Sequence, residues 1–258
     1  MKKIITIITL LFLVATIGAQ TNKRHTTSKN KPKTAMQKSA SKKTSKSKSE
    51  APSKSTNKAK TKSLFCPDDK HPHVIDLDLP SGTQWACCNV GANTPEEYGG
   101  FYAWGETKVK KTYSRQNYKF YNGSNSDNCY TKNFWTVAGT DLDAAHVNWS
   151  NGWQMPTHVQ FKELMENCIF EYITINGING AKFTGPNGQV LFLPAAGLGG
   201  YNTIIGQNET GWYSLGQVTS CNVASGSLDY VFFNGSGCEY RYYLGNRTQG
   251  YSVRPVKE

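Results

Sequence analysis

The sequence holds no arrangement of residues that announces catalysis. His71, His73, His146 and His158 are scattered along the chain, and no Ser–His–Asp order can be argued from them. No histidine stands at ligand spacing from any cysteine, and adjacent Cys87 and Cys88 are wrongly spaced for a zinc knuckle. No phosphate-cradling loop and no nucleophile–base pair is present. The expectation from these absences is a chain without metal or cofactor that binds rather than transforms.

Apolar runs are almost missing too. The exception is residues 4–17, which follow Lys2 and Lys3 and end at small Gly18 and Ala19. A positive end, an apolar core and small residues at the cleavage point read as a secretory signal over residues 1–19. The run is short for a membrane span and polar chain follows at once, so no transmembrane span is expected after cleavage. An uncleaved anchor is the alternative, because Ile17 stands where a small residue is preferred. The protein is expected to be exported: periplasmic, on the outer surface, or secreted.

Residues 20–63 lack aromatic residues and carry one acid, Glu50, against fourteen Lys or Arg. Such a stretch cannot bury enough apolar surface to offset its conformational entropy, so it reads as a disordered basic linker. The charge divides sharply: +2 in the signal, 14 − 1 = +13 in the linker and 13 − 17 = −4 in residues 64–258, giving the net +11. The basic character thus belongs to the linker, and the remainder is mildly acidic. Nucleic acid is an unlikely partner for an exported segment without stacking aromatics. A solvated spacer, or contact with an anionic cell-surface polymer, is the expectation instead.

Residues 64–258 are long enough for one domain with a real core. One helix is well signalled. Thr157 and Gln160 form a capping box, and Pro156 presets the chain before it. Phe161, Leu164, Met165 and Cys168 fall on one apolar stripe, while Lys162, Glu163 and Glu166 face away. Around this helix, residues 157–168, lie short runs broken by turn residues: 74–79, 84–90, 99–105, 169–175, 181–184, 190–194, 212–220, 228–234, 238–244 and 251–256. Residues 141–146 read as one helical turn, residues 185–188 as a hairpin turn and residues 108–134 as a long polar and aromatic loop. The fold class is α+β, with short twisted antiparallel strands on one main helix. The N-terminal run 74–79 and the C-terminal run 251–256 are expected to pair.

Several ordered blocks carry a resemblance. Val74-Ile75-Asp76-Leu77, Pro80-Ser81-Gly82-Thr83-Gln84-Trp85-Ala86 and Cys88-Asn89-Val90-Gly91-Ala92 come first. Ala103-Trp104-Gly105-Glu106-Thr107, Asp143-Ala144-Ala145, Trp153-Gln154-Met155-Pro156-Thr157, Gly185-Pro186-Asn187-Gly188, Leu193-Pro194-Ala195-Ala196-Gly197 and Ser252-Val253-Arg254-Pro255-Val256 follow. Together they resemble the Fibrobacter succinogenes major paralogous domain family across most of residues 74–256. The resemblance implies an exported bacterial domain, of a kind frequent in Bacteroidetes, with a C-type-lectin-like fold related to the formylglycine-generating enzymes. One block departs: Trp212-Tyr213-Ser214-Leu215 stands where an aromatic-Trp-Ser-Ser pattern is usual, so ligand chemistry there can differ.

Seven cysteines, Cys66, Cys87, Cys88, Cys129, Cys168, Cys221 and Cys238, leave at least one unpaired within the chain. Connectivity does not follow from sequence; Cys88 with Cys168 is the favoured pair because both lie within or beside family-like blocks. The formylglycine-generating relatives use two nearby cysteines late in the chain, and Cys221 and Cys238, on different predicted strands, do not reproduce that pattern. The Glu-Pro-Asn, Gln-Pro-Asp and Trp-Asn-Asp motifs of calcium-dependent lectins are absent as well. What remains is recognition by polar, aromatic-dotted loops, 117–135 and 199–212. Tyr201, Asn202, Asn208, Glu209 and Trp212 are the candidate contacts for a glycan or an extracellular protein, with Trp212 and Tyr213 as core strand residues the competing reading. An oxidase of the formylglycine-generating kind and a purely structural surface protein are the alternatives.

Overall fold

A computed structural model of the chain describes residues 73–123, 135–149, 151–218 and 226–258, all within a compact unit spanning Lys58–Glu258. The signal, the whole linker, His71, Cys66, Cys129, Cys221 and part of the 117–135 loop lie outside the described residues.

The helix forms where its caps and stripe predict. α2, His158–Asn167, has Thr157 as N-cap, and both halves of the capping box are made. Phe161 and Leu164 are fully buried, and Met165 and Cys168 are partly so. Phe161 meets Trp85 edge to face, ring centres 4.8 Å apart. Burying each such side chain contributes about 1.5–3 kcal/mol, more than the roughly 1 kcal/mol of the cap, so the stripe anchors the helix. On the outer face Glu163 accepts from the Ser81 backbone N–H at 2.8 Å and the Ser81 hydroxyl at 2.6 Å, holding the turn before β2. The helical turn expected over 141–146 forms three residues later, as α1, Ala144–Trp149.

The remainder is mostly antiparallel sheet. β1 (Val74–Asp76), β2 (Gln84–Ala86) and β11 (Val256–Lys257) form one sheet with β2 in the centre. The two ends of the domain therefore share a sheet but do not pair: Val74 faces Ala86, and Val256 faces Trp85. Direct pairing of 74–79 with 251–256 is thus corrected. Trp85 is fully buried at the middle of this sheet, so the strand that carries it takes the central place.

β3 (Ile169–Ile175), β4 (Ile178–Thr184) and β5 (Val190–Pro194) make a second sheet. The connection between β3 and β4 is Asn176-Gly177 alone, shorter than the five-residue link read from sequence. Both residues have positive φ, 52° and 82°, the requirement of a two-residue turn whose twist matches its strands. β8 (Gly211–Ser214), β9 (Ser227–Asn234) and β10 (Gly237–Asn246) form the third, in order β10-β9-β8. A small ribbon of β6 (Leu198–Gly199) and β7 (Ile204–Ile205), not read from the sequence, completes the strands.

Residues 250–256 knit these pieces. Gly250 bridges Gly199, Tyr251 bridges Tyr102, Ser252 bridges Tyr213 and Val256 bridges Gln154. Arg254, fully buried, locks the segment to the end of β2. Its Nε donates to Asn89 Oδ1 at 2.9 Å, and its Nη1 donates to the carbonyls of Ala86 and Cys87 at 3.1 and 2.8 Å. Asn89 in turn donates to the Tyr213 hydroxyl at 3.1 Å, and that hydroxyl donates to the Pro194 carbonyl at 2.9 Å. Arg254 is a structural hydrogen-bond partner in this network. No helix among the described residues is long and apolar enough to cross a membrane.

Candidate functional site

The five candidate contacts do not come together. Asn208 has φ +65° and fastens the β3–β4 hairpin. Its Oδ1 accepts from the Asn179 N–H at 2.7 Å, its carbonyl from the Asn179 amide at 2.8 Å, and its own N–H donates to the Ala195 carbonyl at 2.7 Å. The Glu209 carbonyl accepts from the Tyr172 hydroxyl at 2.8 Å. Trp212 is half-buried in β8: its ring stacks on Tyr230 with centres 5.0 Å apart, meets the edge of Phe232, and its Nε1 donates to Thr210 Oγ1 at 2.9 Å. Tyr213 is core, as the competing reading had it, and burial pushes its phenol up to about 12.

Tyr201 and Asn202 are different. They sit at the tip of the β6–β7 ribbon, which is closed by the Gly200 N–H to Thr203 carbonyl bond at 2.9 Å. Tyr201 is 64% exposed, and neither side chain makes a hydrogen bond to a described residue. Asn202, Thr203 and Ile204 form one wall of a 340 Å³ cleft whose other wall is Phe101, Lys110, Lys111 and Tyr113.

The floor of the cleft is glycine because a phenol lies on it. A Cβ on Gly199 would stand 3.0 Å from the Tyr113 ring, and one on Gly250 only 2.8 Å from it. Tyr113 is pinned from several sides: its N–H donates to the Gly200 carbonyl at 3.1 Å, and its hydroxyl accepts from the Lys110 N–H at 3.1 Å while donating to the Phe101 carbonyl. Burial raises its pKa, with a further rise from the Glu106 charge, so it is a neutral phenol at neutral pH. Lys110 is likewise committed. Its ammonium lies 2.6 Å from Glu106, donates to Asn117 at 3.2 and 3.3 Å, and hangs over the Tyr113 ring. Lys111 beside it is exposed. A second cleft of 340 Å³ adjoins the first through Lys110 and is lined by Glu106, Thr107, Lys108 and Lys119 as well.

Of the five candidate contacts only Asn202 lines this cleft, and the lysine-bearing wall is not among them. The signal was there: Lys108, Lys110, Lys111, Arg115 and Lys119 fall within twelve residues that hold no acid. In sequence they belong to a long polar loop, and nothing local says that Tyr113 docks this loop on residues 199–200.

The cysteines are not joined as favoured. Cys168 is a free thiol at the C-cap of α2, while Cys88 Sγ lies 3.7 Å from both Cys87 Sγ and the Ala92 carbonyl. Cys88 thus sits against the turn after β2, and Cys88 and Cys168 are not bonded to each other. Cys87 Sγ also lies 3.6 Å from His73 Nδ1, a proximity that chain spacing conceals. Among the described residues no three of His, Cys, Asp and Glu gather as a metal site. Burial, with the Glu239 charge, pushes the Cys238 thiol up to about 12, away from the thiolate that a nucleophile needs. Asp143, which is fully buried, accepts four backbone N–H bonds, from Gly139, Ala145, His146 and Met155 at 2.7–3.0 Å, and serves as a latch between α1 and the approach to α2.

No protein-family model, no curated protein and no solved structure matches this chain.

Proposed function

We propose that this is an exported, non-catalytic recognition module of the Fibrobacter succinogenes major paralogous kind, on a C-type-lectin-like fold. It binds a glycan or a protein ligand at the cell surface or in the periplasm, and the basic linker spaces it or touches an anionic polymer. The reading of fold and family rests on the ordered sequence blocks, the capped main helix and a sheet that holds both ends of the domain. The reading of function rests on one observation above others: the tip of the β6–β7 ribbon, with Tyr201 exposed and Asn202 lining a cleft, presents polar and aromatic groups that the fold itself does not use.

The test is a glycan and extracellular-matrix array probed with the full chain and with Asn202→Ala. Retained ligands lost on the substitution support the module. The opposing reading, oxidase chemistry at the late cysteines, forecasts copper-dependent turnover of a cysteine-bearing peptide that disappears in Cys238→Ser. The half-buried Cys238 thiol, pushed up to about 12 and so protonated at neutral pH, argues against that outcome.

A further inference from the structure

Resting on that reading, we infer that the ligand of this cleft is an acidic oligosaccharide, one bearing carboxylate or sulfate groups. The argument begins with where charge is left over. Residues 64–258 hold 13 Lys or Arg against 17 Asp or Glu, yet five of those cations lie in residues 108–119 with no acid among them. Lys110 is neutralised by Glu106. Lys108, Lys111, Arg115 and Lys119 are exposed and make no ion pair with a described residue. Elsewhere on the surface cations are compensated: Lys162 by Glu166, Lys182 by Glu171 and Arg241 by Glu239. A domain that pairs Lys162, Lys182 and Arg241 but leaves four cations unpaired within twelve residues, three of them lining the two clefts, keeps a local positive field there.

The geometry suits a chain of sugars better than a peptide. The two clefts share Lys110 as a lining residue, with Lys111 on one and Lys108 and Lys119 on the other, so a chain of sugars has cations to meet on both sides of it. Asn202, Thr203 and Thr107 supply amide and hydroxyl groups for sugar hydroxyls, while the ammonium groups meet the acidic substituents. A peptide adding as a strand would need free backbone groups at the floor. Gly199 and Gly250 already exchange both bonds, and Gly200 spends its N–H on Thr203 and its carbonyl on Tyr113.

The experiment is lysine footprinting of the full chain with an amine-reactive reagent and mass spectrometry, in tetragalacturonate, in neutral maltotetraose or in octaglutamate. Protection of Lys108 and Lys111 by tetragalacturonate alone, with an about tenfold weaker affinity in the Lys108→Gln/Lys111→Gln variant, supports the inference. Protection confined to the linker lysines overturns it and leaves the recognition module standing. Equal protection by maltotetraose overturns charge as the selector, and protection by octaglutamate alone overturns it in favour of an acidic protein partner. An array on which Asn202→Ala changes nothing removes the module and the inference together.

Discussion

The two halves of the segment 199–212 have similar composition and opposite fates. Asn208, Glu209 and Trp212 are drawn into the structure, closing a hairpin, receiving a phenol and stacking in a sheet. Tyr201 and Asn202, only six residues earlier, hold nothing together. Asparagine is equally suited to clasping a turn and to holding a ligand, and aromatic rings equally suit cores and binding platforms. Identity alone therefore does not separate residues that build the fold from residues left available to a ligand; the separation comes from whether neighbouring backbone already uses the group.

That contrast is open to breaking by mutation, beginning where the structure depends most on one side chain. Phe161→Ala removes a fully buried ring from against Trp85 and should cost about 3–5 kcal/mol in a chemical denaturation curve. Lys162→Ala, on the exposed face with only a Glu166 partner, should stay within about 0.5 kcal/mol. Equal losses at the two positions would mean that the helix does not bury the stripe assigned to it.

Alkali should release the next largest effect. Burial holds the phenols of Tyr102 and Tyr213 up to about 12 from a normal 10.0. A raised folded pKa means that the protonated form is favoured by folding. The associated stability is fully present below pH 10 and is lost as pH rises towards 12, on the order of 2–3 kcal/mol per group. Tyrosinate absorbance at these two residues should therefore rise together with loss of circular dichroism in that window. Ionisation near pH 10 with the fold intact would show that these phenols are not enclosed.

Smaller again is Asn208→Ala, which strands the Asn179 N–H and places alanine at φ +65°; about 1–3 kcal/mol is expected from thermal melts. Tyr201→Ala and Asn202→Ala should shift stability by no more than about 0.5 kcal/mol, since neither side chain bonds to the described fold.

Much of the framework was legible because its signals are local. Thr157 with Gln160 and the stripe from Phe161 fix the helix, alternation at Ile75, Leu77 and Leu79 marks the first buried run, and Gly185 to Gly188 makes the expected turn. The order of strands was not legible. Alternation says which face of a strand is buried but not which neighbour it takes, so β2 between the two ends went unseen. The ribbon β6–β7 escaped because its strands are two residues each and depend on Gly250 and Tyr113 from elsewhere. Of the candidate cleft only Asn202 was legible, in a turn-rich loop, whereas Lys111 and Tyr113 reach it only through tertiary docking.

The most direct measurement compares ligand binding by full-length Asn202→Ala and Trp212→Ala, each with its thermal melt. The account predicts that Asn202→Ala melts with the parent and loses ligand. Trp212→Ala should lose its stacking on Tyr230, melt earlier, and bind normally below its transition. Ligand lost from Trp212→Ala and kept by Asn202→Ala would contradict it, moving recognition from the cleft to the aromatic face of β8.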